Sequence, residues 1–139
     1  MAKEISREYN VGDILESMTH QPISRTTLAL FAGASGDHNP IHIDIDFAKS
    51  VGMEDVFAHG MLGMAYLGRF LTSITDQRKI RSYSVRFCSI TQVGAELRCT
   101  GKVVEIAAQN HEKLMKLEIS AIDQNNDVKL MGDAVIAFQ

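Results

Sequence analysis

One stretch limits the fold more than any other: residues 60–74, GMLGMAYLGRFLTSI, carry a single charge, Arg69, and set apolar side chains on nearly every side of a helix. A helix that is apolar all round has to be buried. The period then changes. Tyr83, Val85 and Phe87 alternate with Ser84 and Arg86, and Met115, Leu117, Ile119 and Ala121 alternate with Lys116, Glu118 and Ser120, which is the two-residue repeat of strands. Residues 97–106 and 130–138 read as two further strands, with polar turns at 109–111 and 123–127. Ahead of the long helix, residues 14–18 read as a strand, Ser24 as the cap of a helix ending at Gly33, and residues 45–51 as a short helix followed by a connector at 52–57. One buried helix with a mostly antiparallel sheet is an α+β arrangement in which the sheet curls around the helix to cover it.

At 139 residues the chain is expected to be a single domain, 1–139, large enough for a sizeable core but not for two. No repeat, linker or low-complexity tract divides it. The formal net charge of −3 and the scattered lysines and arginines provide no field for nucleic acid. The polar start, MAKEISREYN, reads as neither signal peptide nor anchor, and no apolar run reaches the roughly 18 residues of a spanning helix, so no membrane association and a cytoplasmic location are expected. Cys88 and Cys99 lack metal-type spacing and read as ordinary thiols, packing residues that would face each other if Val93-Gly94 turned a hairpin. His20 and His111, in polar surroundings, are expected at the surface.

The chemistry concentrates in residues 31–48, FAGASGDHNPIHIDIDFA. Pro40 fixes its own φ and keeps Asn39 out of helical geometry, while Gly36 permits a tight bend, so the segment is a stiff loop. It sets Asp37 and His42 on either side of the Asn39-Pro40 turn as a candidate acid/base pair. A turn with capping carboxylates is the plainer reading, and Asp44 and Asp46 are expected to cap or charge the short helix.

The string Ser35-Gly36-Asp37-x-Asn39-Pro40-x-His42-x-Asp44 resembles the hydratase motif of the MaoC-like, (R)-specific enoyl-thioester hydratases and dehydratases, with every polar position filled. Ala58-His59-Gly60-Met61-Leu62 resembles the same family's junction into its central helix, and Tyr83 to Phe87 with the Val93-Gly94 turn resembles its third strand region. Thr91 and Ala95 depart from it, where many relatives carry proline and an acid, which bears on turn geometry more than on chemistry. The resemblance implies a hot-dog domain, its curled sheet wrapped around the central helix and continued into a second subunit as a homodimer. It implies a hydro-lyase acting on trans-2-enoyl or (R)-3-hydroxyacyl thioesters of coenzyme A or acyl carrier protein, with no cofactor. Asp37 and His42 would share the water as acid and base. The Gly60 N–H, at the positive end of a helix, would meet the enolate-like oxygen. Ser35, Asn39, His59, Met61, Met64 and Gly68 are the candidate substrate contacts, although His59 also reads as a residue shaping the junction and the methionines as core.

Three other readings compete. His38, His42, Asp44 and His59 offer ligands of the type zinc or iron accepts, but three of them share one short loop and no H-E-x-x-H or Cys pair accompanies them. A hot-dog thioesterase would place an acid on the central helix, and residues 60–74 hold neither Asp nor Glu. A non-catalytic or partner-dependent subunit would not need the intact Asp37 and His42.

Overall fold

The computed structural model describes residues 8–138. Helix α1 (Arg25–Ser35) is capped by Ser24, whose side chain accepts from the Thr27 N–H. A 3₁₀ turn (Pro40–His42), helix α2 (Ile45–Ser50) and the long helix α3 (Gly60–Ile74) follow. Strands β1 (Met18–Thr19), β2 (Ile80–Phe87), β3 (Arg98–Gln109), β4 (Glu112–Ile122) and β5 (Val128–Ala137) form one open sheet in the order β1-β3-β4-β5-β2, antiparallel throughout. This is the hot-dog layout, an α+β fold in which the sheet wraps one side of α3.

Two apolar clusters hold the layers together. Leu67, Phe70 and Leu71 of α3 pack on Met115, Leu117, Leu130 and Ile136 of the sheet. Leu62 at the start of α3 packs instead with Ile23, Leu28, Ala48 and Val56, which ties α1 and α2 to the same end of the helix. The loop between α1 and α2 is thereby fixed above the N-terminus of α3. Among the described residues, no helix is long and apolar enough to cross a membrane.

The long helix departs from the all-round burial its sequence predicts. Leu62, Gly63, Leu67, Phe70 and Leu71 are buried, yet Met61 is 56% exposed and Ala65 is also open. An apolar helix face left uncovered by the sheet is a surface awaiting an apolar occupant.

Other boundaries also shift. The N-terminal segment runs beside β3 with intermittent bonds, Gly12 N–H to Val103 O, Leu15 N–H to Gly101 O and His20 N–H to Leu97 O, so only Met18–Thr19 counts as a strand. Helix α1 passes through Gly33 and stops at Gly36, whose φ of 76° is the left-handed cap. No hairpin forms at Val93-Gly94: β2 pairs with β5 and β3 with β4, so Cys88 and Cys99 are not neighbours across a ladder. Cys99 is a buried packing residue whose thiol burial pushes up to about 12, whereas Cys88 is exposed. His111 is exposed in the β3–β4 turn, but His20 is half-buried and stacked on Tyr66 with ring centroids 4.3 Å apart.

Candidate active site

Most polar residues of the loop hold the loop itself. The Ser35 hydroxyl accepts the Asp37 N–H at 3.1 Å, Asp37 Oδ1 accepts the Asn39 N–H at 3.3 Å, and Asn39 Oδ1 accepts the Ile41 N–H at 3.1 Å. Asp44 then caps α2, accepting from the Asp46 and Phe47 N–H groups. These are the local side-chain-to-backbone bonds that short polar residues make readily. Between Ser35 and Asn39 one carboxylate oxygen is left over, Asp37 Oδ2, on a side chain 52% exposed.

His42 completes the pair. Its Nδ1 lies 2.7 Å from the Phe57 carbonyl oxygen, which only accepts, so Nδ1 carries the proton and Nε2 presents a lone pair. That Nε2 is 3.9 Å from Asp37 Oδ2, beyond hydrogen-bond length, so both atoms face a shared gap rather than each other. The arrangement suits a small polar molecule held between an exposed carboxylate and a buried, tautomer-fixed imidazole.

Behind His42 lies His59, the residue that precedes α3. Their rings stack with centroids 3.9 Å apart and planes 26° from parallel, and Phe31 meets the His59 ring edge-on at 4.9 Å. His59 Nε2 donates to the Asp37 carbonyl at 3.2 Å. Burial holds the His59 imidazole below the ordinary histidine value, and the facing His42 ring pushes the same way.

Two clefts meet at this point, and both touch Asp37 and Met61. One, of about 540 Å³, follows the open face of α3 past Met64, Ala65 and Gly68 and is closed by Phe31, Ser35 and Tyr83. The other, of about 470 Å³, runs past Gly60, Phe87, residues 88–91 and Lys129. Ser35, Met61, Met64 and Gly68 of the candidate residues therefore line the first cleft, and Gly60 the second. Asn39 is spent as a cap, and His59 lies behind the wall. Gly60 opens the helix, so its N–H has no intrahelical partner. The space a side chain would occupy there holds the Phe87 ring, whose Cδ1 is 3.1 Å from the position of a Cβ.

The sequence reads Tyr83 as a strand residue and Thr91 as a departure in a turn, and offers neither of them, nor Lys129, as a site residue. The Tyr83 hydroxyl donates to Met64 O at 2.6 Å, which fixes one wall of the first cleft. Lys129 is buried, donating to Ile90 O at 2.8 Å and Asp127 at 2.6 Å, and so hangs the 88–91 loop from the β4–β5 turn. No periodicity distinguishes these residues from ordinary strand positions.

The proposed metal set does not assemble, because His38 is exposed and Asp44 is occupied as a cap. Asp37, His42 and His59 do place ligand-type atoms within 4.8 Å of one another. Of the two His59 nitrogens, Nε2 already bonds the Asp37 carbonyl and Nδ1 is buried without a partner.

The MaoC like domain family matches residues 8–125. The mitochondrial 3-hydroxyacyl-[acyl-carrier-protein] dehydratase of Arabidopsis thaliana is 24% identical over 128 residues, 92% of this chain and 76% of that protein. The (R)-specific enoyl-CoA hydratase of Rhodospirillum rubrum is 39% identical over 49 residues, 35% of this chain and 34% of that one. Among solved structures, the (R)-hydratase PhaJ1 of Pseudomonas aeruginosa superposes with a TM-score of 0.81 at 26% identity, covering 94% of this chain and 83% of its own.

Proposed function

Because this chain belongs to the MaoC-like domain family, we propose that it is a hydro-lyase that adds water reversibly to trans-2-enoyl thioesters to give (R)-3-hydroxyacyl thioesters. The observation that carries this reading is the pair itself: Asp37 lines both clefts, and buried His42 sets its Nε2 3.9 Å behind the Asp37 Oδ2.

Water bound between the two is oriented by the Asp37 carboxylate. His42 Nε2 takes one of its protons as the hydroxyl oxygen bonds to the β-carbon. The π electrons move toward the thioester carbonyl, and the charge that builds on its oxygen is met by the Gly60 N–H at the helix start. A proton from the pair then reaches the α-carbon, so one water is consumed and the protein ends as it began. Dehydration reverses each step. The acyl chain occupies the cleft along α3, with Met61, Met64 and Gly68 as its contacts, and the carrier, coenzyme A or acyl carrier protein, leaves through the cleft beside residues 88–91. Thioester chemistry of this kind needs no cofactor.

We place the second subunit of a homodimer against β2, whose outer edge has no partner strand among the described residues. A solution mass equal to a single 15.4 kDa chain at micromolar concentration contradicts that arrangement.

The test is hydration of a chain-length series of enoyl thioesters in heavy water. Both new bonds form on the face that meets the loop, so syn addition and (R) product are expected, and mainly (S) product sinks the reading. Gly68→Leu sharpens it. A Cβ at Gly68 makes only ordinary contact with Tyr83 at 3.7 Å, so the larger side chain fills the cleft rather than breaking the helix packing. Long acyl chains should be excluded and crotonyl-length ones spared. Equal loss on both would move the acyl chain to another cleft.

A further inference from the structure

His59 is only 2% exposed, and its Nδ1 has no hydrogen-bond partner. A phenylalanine would fill the same space, stack on His42 and meet Phe31 without leaving a bare nitrogen in the interior, which is costly. The polar edge is therefore retained for its other nitrogen. That nitrogen, Nε2, tethers the Asp37 carbonyl to the start of α3 across 22 residues of sequence. The loop's remaining side-chain bonds at Ser35, Asp37 and Asn39 each span two residues, so they fix its shape but not its distance from the helix.

His42 needs the same support. Its single bond to Phe57 fixes the tautomer, yet one bond at Nδ1 leaves the ring free to swing about it. The His59 face on one side and the Phe57 ring edge on the other, at 5.2 Å, clamp the plane. The titratable groups facing His59 are Asp37 and His42, and the residue packed on it from α1 is the uncharged Phe31.

We propose that His59 is a positioning residue for the acid/base pair: one ring supplies both the surface that orients His42 and the N–H that sets Asp37 at working distance from it. The proposal rests on the hydro-lyase reading and adds to it a residue that does not touch substrate. It also favours the neutral form of this histidine, since burial and the facing His42 ring both oppose its protonation. Neutrality with the proton on Nε2 follows from the geometry.

Two measurements test it. In the full chain labelled with ¹⁵N-histidine, His59 should show the neutral Nε2–H tautomer with a bare Nδ1, and should take up its second proton only below the ordinary histidine value. An Nδ1–H tautomer, or titration at the ordinary histidine value near 6.5, overturns the proposal. In His59→Phe, which keeps the stack and loses the N–H, turnover should drop roughly ten- to a hundredfold, the scale of a misplaced catalytic group, with KM unchanged and melting temperature equal or higher. A folded His59→Phe enzyme with unchanged turnover also overturns it. Asp37→Asn, assayed alongside, separates the two ideas: retained activity there removes the acid/base reading itself, whereas an inactive Asp37→Asn beside a fully active His59→Phe removes only the role of His59.

Discussion

At the scale of single residues, the division between holding and reacting is sharp. Ser35, Asn39 and Asp44 spend their side chains on neighbouring N–H groups, and Asp37 keeps one oxygen free. Asp37→Asn and His42→Gln should each lower turnover by roughly 10²–10⁴-fold, or about 3–5 kcal/mol of barrier, with folding intact. The double substitution should lose little more, since the two act on one water. Steady-state kinetics on crotonyl thioester decide this, and near-normal rates in either single variant remove the assignment. The loop was legible in the sequence because its bonds reach only a few residues along the chain. His59 read as a junction residue and a substrate contact, and its stack on His42 was invisible because only the tertiary fold brings those rings together.

At the scale of elements, two glycines make opposite demands. A Cβ on Gly132 of β5 would stand 1.9 Å from the Ser84 carbonyl oxygen of β2, so no side chain fits without parting the strands. Gly132→Ala should cost about 3 kcal/mol or more by urea denaturation, the upper range of overpacking. Gly33, exposed inside α1 with nothing within 4 Å of its absent Cβ, should gain about 0.5–1 kcal/mol as alanine. A destabilised Gly33→Ala, or a neutral Gly132→Ala, would contradict these contacts. Element type was readable from period and turns: α3 occupies the predicted residues, two strands fall where alternation puts them, and two more where the polar turns delimit them. Pairing was not, since alternation records which side chains face inward and says nothing of which strand lies alongside. The expected turn at Val93-Gly94 does form, with the Ala95 N–H bonded to Gln92 O, but it lies within a crossing between β2 and β3 rather than closing a hairpin.

At the scale of the molecule, stability should fall toward acid in two stages. Burial keeps His59 and His20 below the ordinary histidine value of 6.5, so the unfolded chain takes up protons the folded one refuses. Their contribution is therefore full above that value and declines as pH falls below it. The carboxylates follow. The Arg78 guanidinium and N–H hold Asp76 at about 2. Burial opposes the charge on Asp123, but the Gln92 amide, the Asp127 and Asn125 N–H groups and Lys129 outweigh it and keep that group below the usual range. Their contribution is present above an unfolded value of 3.8 and is lost as pH falls through the lower folded values. Denaturant midpoints measured from about pH 8 to about pH 2 should show both declines, and a flat profile between pH 7 and 5 would mean that the two histidines are not held neutral. The Asp76–Arg78 and Asp123 turn bonds span only two to four residues, but the Gln92–Asp123 bond and the burial of the two histidines were not legible beforehand, because they depend on which segments the fold brings together.

The open face of α3 carries one more consequence. Met61, Met64, Ala65 and Gly68 recur at helical spacing along the wall of one cleft, on a different element from the loop that holds Asp37 and His42. On the proposed reading, reaction and substrate choice are thus written in separate parts of the chain. If the acyl chain lies there as proposed, single changes along that wall would retune the acyl length accepted while the loop is inherited intact, so descendants of such a sequence could diverge in diet without relearning the chemistry.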